Sequence, residues 1–454
     1  MRRTARRLGA AAAALGVLLP LAGLAGTPAT PATAGVPVPT AARPAVDAVG
    51  DADSSQTCDQ EGGYAISSRP VALDGYDASR LWSRAAGRGV RVAVVDSGIN
   101  VANPHFTTEG PTGPAYEVGT SLLPASLAEE YVNAYDPRGW ADPSGHGTAV
   151  AGIIAARPVE DSTSEVVGLA PYATIVPVQV FGAVVETTED SVDLLPDTGR
   201  LAAGIRWAAD AGVQVIAVSM SVLDPDPRLE EAVAYAVGKG ILVVASAGSF
   251  ETAAEGDPGG VHYPAGFPGV LGVTAVDVFG QPSARNFTGE HVDVAAPGQQ
   301  VATAYRGLLD CYLGEEPAPS YAVPYVAATA ALLAEEFPDE GAEMWAHRIM
   351  MSAERPQQAV RDDAVGWGAL APYDALTMTV DPDRPGPAVP GHPPVKDVSE
   401  ATAPPVASPP VDPWAPARDS GLLLAVGGVA LVAVLAMVRT LGRGTHRGRI
   451  EVPG

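Results

Sequence analysis

Three residues whose side chains together support nucleophilic chemistry occur in distinctive stretches of the chain. Asp96 precedes Ser97-Gly98, His146 lies between two glycines, and Ser320 follows a proline. A serine hydroxyl is a poor nucleophile until a neutral imidazole accepts its proton, and the imidazole needs a carboxylate that orients it and stabilises its cation. Any one of these stretches is also typical of an ordinary turn or helix cap. In combination, and in the order Asp, His, Ser, they predict a Ser-His-Asp catalytic centre.

The neighbouring sequence predicts the element that carries each residue. The apolar run at residues 90–95 is typical of a buried parallel strand and ends at Asp96. Small apolar residues follow His146, which predicts a buried helix with the histidine in its first turn. Ser320 begins a long apolar helix that runs to Leu333, and Pro319 suits the first helical position. Pro324 removes one backbone bond of that helix, so its presence requires tertiary support.

The remaining apolar pattern predicts the sheet that brings the three residues together. Strand-like runs occupy residues 175–180, 213–218, 241–245 and 270–276, and helical patterns occupy residues 201–211 and 228–237. Strands that alternate with helices indicate an α/β fold with a doubly wound, mainly parallel sheet. Ligands of such sheets bind at the carboxyl ends of the strands. We therefore expect Asp96, His146 and Ser320 at one edge of the sheet.

Both ends of the chain differ in composition from its middle. Arginines within residues 2–7, an apolar run at residues 8–24 and small residues after it form the pattern of a secretory signal peptide, with a signal anchor as the alternative. A proline-rich linker precedes an uncharged run at residues 421–438, which is long enough for a short membrane span. Arginines follow that run, so the positive-inside rule places the C-terminus in the cytoplasm and the main domain outside. A buried helix is the alternative for the uncharged run.

Charge and histidine spacing exclude several classes of partner. The net charge is −24, and basic residues concentrate at the two ends. The middle of the chain is therefore strongly acidic and is not expected to bind nucleic acid or anionic lipid. The seven histidines show no metal-ligand spacing, and we expect neither a metal nor a cofactor. The carboxylates within residues 186–197 are one conceivable calcium site, although such a run is more often only solvated.

Cys58 and Cys311 are the only cysteines. Because the protein is expected to be exported, an oxidising compartment favours a disulfide between them. Two free thiols are the alternative. A bridge would tie the N-terminal extension to the main domain and stabilise the fold by about 2–4 kcal/mol.

The chemical stretches resemble the signature blocks of a known family. Residues 94–98, 145–152 and 320–327 are similar to the three catalytic blocks of subtilisin-like serine proteases, and the similarity covers residues 78–375. The signal peptide, proline-rich linker, C-terminal span and Pro324-Tyr325-Val326 resemble the mycosins, which are membrane-anchored proteases of actinobacterial type VII secretion systems. The resemblance implies a subtilisin-like three-layer fold, with Asp96 as orienting acid, His146 as base and Ser320 as nucleophile.

The same resemblance suggests how the chain is divided. Mycosins carry a short N-terminal extension wrapped on the catalytic domain, and this chain has only a short segment between its signal peptide and that domain. We expect a signal peptide at 1–35, an N-terminal extension at 36–77, a peptidase domain at 78–378, a proline-rich linker at 379–419, a transmembrane helix at 420–438 and a cytoplasmic basic tail at 439–454. The extension would be held on the domain by the Cys58–Cys311 bridge.

Some positions depart from the family pattern. The segment that ends Gly248-Ser249 resembles the block that carries the oxyanion-hole asparagine, but serine stands at position 249. Gly248 and the stretch Ser219-Met220-Ser221 are expected to line the substrate, and Ser221 replaces a glycine that is more usual in the family. Ala318-Pro319 replaces the usual Gly-Thr before the nucleophile. These changes predict a slow or highly selective enzyme.

Two functions of different classes follow from this pattern. The first is a membrane-anchored extracellular serine endopeptidase of a type VII secretion system, acting on a protein or peptide substrate. The second is a catalytically degenerate protease fold that serves as a structural subunit of the secretion complex. The intact triad favours the first, and the substitutions at Ser249, Ala318 and Pro319 favour the second. An α/β esterase is disfavoured by the order of the triad and by the absence of a Gly-x-Ser-x-Gly motif.

Overall fold

The structure of the chain is a computed structural model. It describes residues 64–111, 113–125, 135–160, 162–182, 185–186, 191–192, 196–250, 259–307, 309–357 and 359–392. The predicted signal peptide, transmembrane helix and basic tail lie outside these ranges, as does Cys58. Within the ranges, we find no helix with the length and apolarity that a membrane crossing requires.

The described residues form both helices and strands. The helices are α1 Val71–Gly75, α2 Ala78–Trp82, α3 Pro104–Thr107, α4 His146–Ala155, α5 Thr198–Ala211, α6 Pro227–Gly238, α7 Pro319–Glu336, α8 Ala342–Ser352 and α9 Pro372–Thr377. The strands are β1 Arg91–Asp96, β2 Thr120–Ser121, β3 Thr174–Gln179, β4 Val185–Glu186, β5 Ser191–Val192, β6 Val215–Val218, β7 Leu242–Ser246, β8 Val270–Val276, β9 Val294–Pro297, β10 Val301–Ala304 and β11 Asp310–Leu313.

Seven strands pair into one sheet in the order β2-β3-β1-β6-β7-β8-β9. Every neighbouring pair in it is parallel, as the buried apolar runs predict. The chain leaves β1 toward β3 on one side and then builds outward from β6 on the other. The strand order therefore reverses at β1, which makes its carboxyl end the topological switch point where open α/β sheets bind ligands. Asp96 is the last residue of β1.

Two layers of helices cover the sheet. Successive residues of β1 point to opposite faces, so that Val92 and Val94 join one hydrophobic core while Ala93 and Val95 join the other. Helices α4, α7 and α8 pack on the first face, and α5 and α6 on the second. The three-layer α/β arrangement predicted from the sequence is confirmed.

Helix α7 is buried on almost every side. It continues through Pro324, although a proline there removes the backbone bond to the carbonyl of Ser320, four residues earlier. Residues on all faces of the helix, including Val323, Tyr325 and Val326, are at most 3% exposed. Packing against α4 and the sheet supplies the support that the proline requires.

The end of the N-terminal extension lies against the hairpin of β10 and β11. Ile66 is 1% exposed, and its N–H donates a hydrogen bond to Asp310 Oδ2 at a distance of 2.7 Å. The N–H of Asp310 donates to the carbonyl of Tyr64 over 2.9 Å. Cys311 follows directly and is disulfide-bonded. The extension is thus joined to the hairpin by one bond to the Asp310 side chain and one between backbone groups.

Asp310 also holds a buried histidine. Its Oδ1 lies 2.6 Å from Nε2 of His105, and both side chains are fully buried. Nδ1 of the same ring lies 2.6 Å from the carbonyl of Arg157, so this nitrogen must donate. Both ring nitrogens of His105 are therefore bonded to groups inside the fold.

Replacing Asp310 by alanine is expected to destabilise the fold by about 3–5 kcal/mol, because His105 and the N–H of Ile66 lose a buried partner. The measurement is urea denaturation of the purified chain. Asp363→Ala is a matched control, since Asp363 pairs with Arg361 while 68% exposed; its loss should cost less than about 1 kcal/mol. Equal midpoints for the two variants would show that the buried pair does not hold the extension.

Candidate active site

Asp96 and His146 form a hydrogen-bonded pair at the switch point. Oδ1 of Asp96 lies 2.8 Å from Nδ1 of His146. The carboxylate is fully buried, whereas the imidazole is 24% exposed. An ionised carboxylate only accepts, so Nδ1 carries the hydrogen and Nε2 keeps its lone pair. The sequence prediction that these two residues meet is confirmed, and the tautomer is the one a general base requires.

Two glycines permit the close approach of α4 to the end of β1. A Cβ added at Gly147 would lie 2.1 Å from the carbonyl oxygen of Gly98. A Cβ added at Gly98 would lie 2.0 Å from the carbonyl oxygen of Ala141, and the φ of Gly98 is +94°. Side chains at either position would push the two backbones apart. Gly147 is therefore required by the contact of α4 with the segment after β1, and Gly98 by the contact of that segment with the loop before α4.

The charge around His146 favours its protonated form. Burial lowers the pKa of the imidazole, but the charge of Asp96, the hydrogen bond to Asp96 and the charge of Asp142 together outweigh burial. The pKa of His146 is consequently raised above its ordinary value. A base with a raised pKa accepts a proton more readily, and it becomes inactive through protonation at a higher pH than a free histidine would.

Ser320 lies in the first turn of α7, as predicted, and is 8% exposed. Tyr321, the next residue, places its ring centroid 5.3 Å from that of His146. Phe181 approaches the same imidazole at 6.3 Å. The start of α7 therefore lies beside the imidazole of His146, at the positive end of the helix dipole, where negative charge is favoured.

Ser249 lies beyond the carboxyl end of β7, on the same edge of the sheet as Asp96. It is 2% exposed and forms an antiparallel bridge with Asn286. The backbone on either side is fixed, since the N–H of Phe250 donates to Arg285 and the N–H of Phe287 donates to Gly248. The amide of Asn286 donates to the carbonyl of Ala275 over 2.9 Å. One hydrogen of that amide is therefore already used inside the fold.

The predicted substrate-lining stretch follows β6. Ser219 is 4% exposed, while Met220 and Ser221 are partly exposed. A Cβ added at Gly248 would lie 2.9 Å from Oγ of Ser221. Ser221 thus lies against Gly248, and its side chain occupies space that a glycine would leave open.

Sequence reasoning missed the polar groups that support the pair. Ser97 donates its N–H to Oδ1 of Asp96 over 2.8 Å. Gln179, which pairs in register with Asp96, donates to the carbonyls of Ser97 and Ala141. Asp142 is 5% exposed although it occurs in a turn-rich stretch. A buried glutamine at a strand end beside Asp96 was the one available signal, and it points to support rather than to chemistry.

The described ranges contain no group of three or more metal-ligating side chains. Most of the acidic segment within residues 186–197 lies outside those ranges.

Comparison with known proteins gives consistent relatives. The family model for the subtilase family matches residues 87–368. The chain is 31% identical over 252 residues to Subtilisin Savinase of Lederbergia lenta, an alignment that covers 56% of this chain and 78% of the relative. Among solved structures, MycP1 from Mycobacterium smegmatis matches with a TM-score of 0.57 and 25% identity, covering 73% of this chain and 92% of that one. The MycP3 protease from the type VII (ESX-3) secretion system matches with a TM-score of 0.53 and 27% identity, covering 71% and 90%.

Proposed function

This chain belongs to the subtilase family, and on that premise we propose that it is a serine endopeptidase that hydrolyses peptide bonds with Asp96, His146 and Ser320. It is a subtilisin-like serine protease related to the MycP proteins. The observation that carries the proposal is the 2.8 Å contact between Asp96 and His146 at the reversal of strand order. The ring of Tyr321 beside His146 supports the assignment of its neighbour Ser320 as nucleophile.

The proposed reaction proceeds through an acyl-enzyme. Oγ of Ser320 attacks the carbonyl carbon of the substrate while its proton passes to Nε2 of His146. The imidazolium is stabilised by Asp96 and then gives the proton to the leaving amine as the C–N bond breaks. Water repeats the sequence on the ester: its proton goes to His146, its oxygen attacks the acyl carbon, and Ser320 recovers its hydrogen. Each half-reaction returns the side chains to their starting protonation.

The negative oxygen of the tetrahedral intermediate requires hydrogen-bond donors. The backbone N–H of Ser320, at the start of α7, is one proposed donor, and the hydroxyl of Ser249 is the other. Loss of an asparagine donor costs about 10²–10³-fold in kcat. A serine hydroxyl is shorter than the asparagine amide, so we propose that turnover is slow. Ser221 against Gly248 narrows the proposed substrate cleft, which favours selectivity.

We also propose that the protein acts in a type VII secretion system, anchored by residues 420–438 with the peptidase domain outside the cell and the C-terminus in the cytoplasm. The MycP3 neighbour is a protease from such a system, and residues 421–438 of this chain carry no charge. The proposed substrate is a secreted protein or peptide, and the proposed partner is the membrane complex of that system. No cofactor takes part in the proposed reaction.

A structural subunit of the secretion complex is the second candidate. The substitutions at Ser249 and at Ala318-Pro319 favour it, because both alter groups next to the reacting atoms. A structural subunit would need the folded domain and its bound extension to contact the complex, but it would not need to hydrolyse a peptide bond.

The two candidates are separated by Ser320→Ala. If the protein is an endopeptidase, the purified wild-type chain cleaves an unfolded protein substrate and Ser320→Ala does not, while both keep the same melting temperature. If it is a structural subunit, Ser320→Ala restores secretion fully in a strain that lacks the protein, and neither chain cleaves the substrate. Cleavage by wild type that persists in Ser320→Ala contradicts the assignment of the nucleophile.

A further inference from the structure

Asp142 accepts four hydrogen bonds although it is almost completely buried. Its Oδ1 accepts one hydrogen bond from Oγ of Ser97 and one from the N–H of Gly145, and each donor–acceptor distance is 2.8 Å. Its Oδ2 accepts from the N–H of Thr148 over 2.8 Å and from Oγ1 of the same residue over 2.6 Å. These donors use all four acceptor positions of a carboxylate. They come from two elements that are separate in sequence.

The donors surround His146. Gly145 precedes the histidine and is the N-cap of α4, but a glycine has no side chain with which to cap the helix. Thr148 is the third residue of the helix. Asp142, which lies before the helix, therefore accepts hydrogen bonds from the N–H groups at its start. It thereby fixes the backbone on both sides of the catalytic imidazole.

Ser97 connects this arrangement to the catalytic carboxylate. Its Oγ donates to Asp142 and accepts from the N–H of Gly147 over 2.9 Å. Its own N–H donates to Oδ1 of Asp96 over 2.8 Å, and the same oxygen contacts His146. Successive hydrogen bonds thus connect Asp142 to Ser97, Ser97 to Asp96, and Asp96 to His146.

We propose that Asp142 is a positioning residue, which holds His146 in register with Asp96 by anchoring the first turn of α4 and the side chain of Ser97. This inference rests on the proposed function only for its kinetic consequence. Asp142 touches no reacting atom in the proposed mechanism. The charge of Asp142 also raises the pKa of His146, so the role has a signature other than stability.

The direct test is Asp142→Asn. An amide has one accepting oxygen, so its NH₂ group would face two donors, and at least two of the four bonds would be lost. A displacement of about 1 Å in a catalytic group lowers the rate by up to about 10²-fold. We expect kcat to fall by about that factor with KM unchanged. We also expect the acid limb, the fall of kcat/KM toward low pH as His146 becomes protonated, to move to lower pH. The reason is that removal of a nearby negative charge lowers the pKa of His146.

Asp226→Asn is the matched control. It removes the same charge from the N-cap of α6, in the opposite helix layer, where asparagine caps as well as aspartate. Its kcat and acid limb should equal those of the wild-type chain. A role of Asp142 in folding alone would lower the concentration of active sites without moving the acid limb.

The titration of His146 by NMR makes the test independent of catalysis. It is measured in the full chain carrying Ser320→Ala, with and without Asp142→Asn, and the His146 signal is assigned from a His146→Ala sample. A lower midpoint with Asp142→Asn supports the proposal even if wild type proves inactive, in which case only the proposed function fails. A folded Asp142→Asn chain with the wild-type midpoint and kcat overturns it.

Ser97→Ala covers the case in which Asp142→Asn does not fold. It breaks the path from Asp142 to Asp96 but keeps the charge. We expect kcat to fall at least tenfold and the acid limb to stay in place. Wild-type kcat in this variant would show that the path does not position His146.

Discussion

Replacing Asp96 by asparagine is expected to lower kcat about 10⁴-fold while the chain keeps its fold. The amide has nearly the size of the carboxylate, so the contact with Nδ1 of His146, 2.8 Å in this structure, can form again. However, the NH₂ group can now donate to Nδ1, which places the imidazole hydrogen on Nε2. An Nε2 that carries a hydrogen cannot accept the proton of Ser320. The loss comes from the wrong tautomer rather than from a lost contact.

The measurement is kcat at saturating peptide substrate, with circular dichroism to confirm that the fold is kept. Asp226→Asn, which removes one charge remote from the site, should retain the wild-type rate. A loss of less than tenfold with Asp96→Asn would mean that His146 does not depend on this carboxylate, and the assignment of the pair as catalytic would be wrong.

Replacing Ser249 by asparagine is expected to raise kcat by about 10²-fold, the lower end of the cost of losing such a donor. The asparagine side chain is longer than that of serine, so it brings an amide N–H closer to the oxygen that becomes negative in the transition state. The bridge to Asn286 and the bonds made by Phe250 and Phe287 fix the backbone that would present it. The ground-state carbonyl gains less from the new donor, so KM should change little.

Steady-state kinetics of Ser249→Asn and Ser249→Ala decide the point together. We expect a clear gain for asparagine and at most a loss of several fold for alanine. If asparagine gives no gain while alanine lowers kcat by about 10²-fold or more, the Ser249 hydroxyl is already an adequate donor. The expectation of slow turnover would then be wrong.

The sequence predicts the centre of the fold well because the central strands are fully buried. Residues 90–95 were predicted as a strand, and Arg91–Asp96 is observed. Residues 270–276 were predicted, and Val270–Val276 is observed. Continuous apolar runs bounded by glycine or polar residues carry this information locally. The Asp96–His146 contact was predictable because a strand ends at Asp96 and a helix begins at His146, and both occur at the edge of the sheet where α/β folds bind ligands.

Other elements depend on contacts that no local pattern encodes. Strand β2 has only two residues, and β9 consists of Val294–Pro297, too short for a periodic signal. The hairpin of β10 and β11 pairs Ala304 with Asp310, and its partner is the N-terminal extension, more than 240 residues earlier. The buried bond between Asp310 and Ile66 therefore depends on that distant segment.

The role of Asp142 escaped prediction for a related reason. An aspartate in a turn-rich stretch is expected to be solvated or to cap its own turn. Its burial depends on Ser97, which lies 45 residues away in sequence. The sequence of the motif indicates where chemistry is expected, while the hydrogen bonds that hold the imidazole become visible only when the two elements are in contact.

The measurement that tests the central claim most directly is the labelling of the purified chain by a fluorophosphonate probe, which reacts with an activated serine and forms a covalent ester with loss of fluoride. We predict that wild type is labelled at Ser320 and that Ser320→Ala is not. Labelling should decline as the pH falls through the raised pKa of His146, because the protonated imidazole cannot accept the serine proton. A folded wild-type chain that takes no label at any pH up to about 9, well above the ordinary pKa of a histidine, would contradict the account.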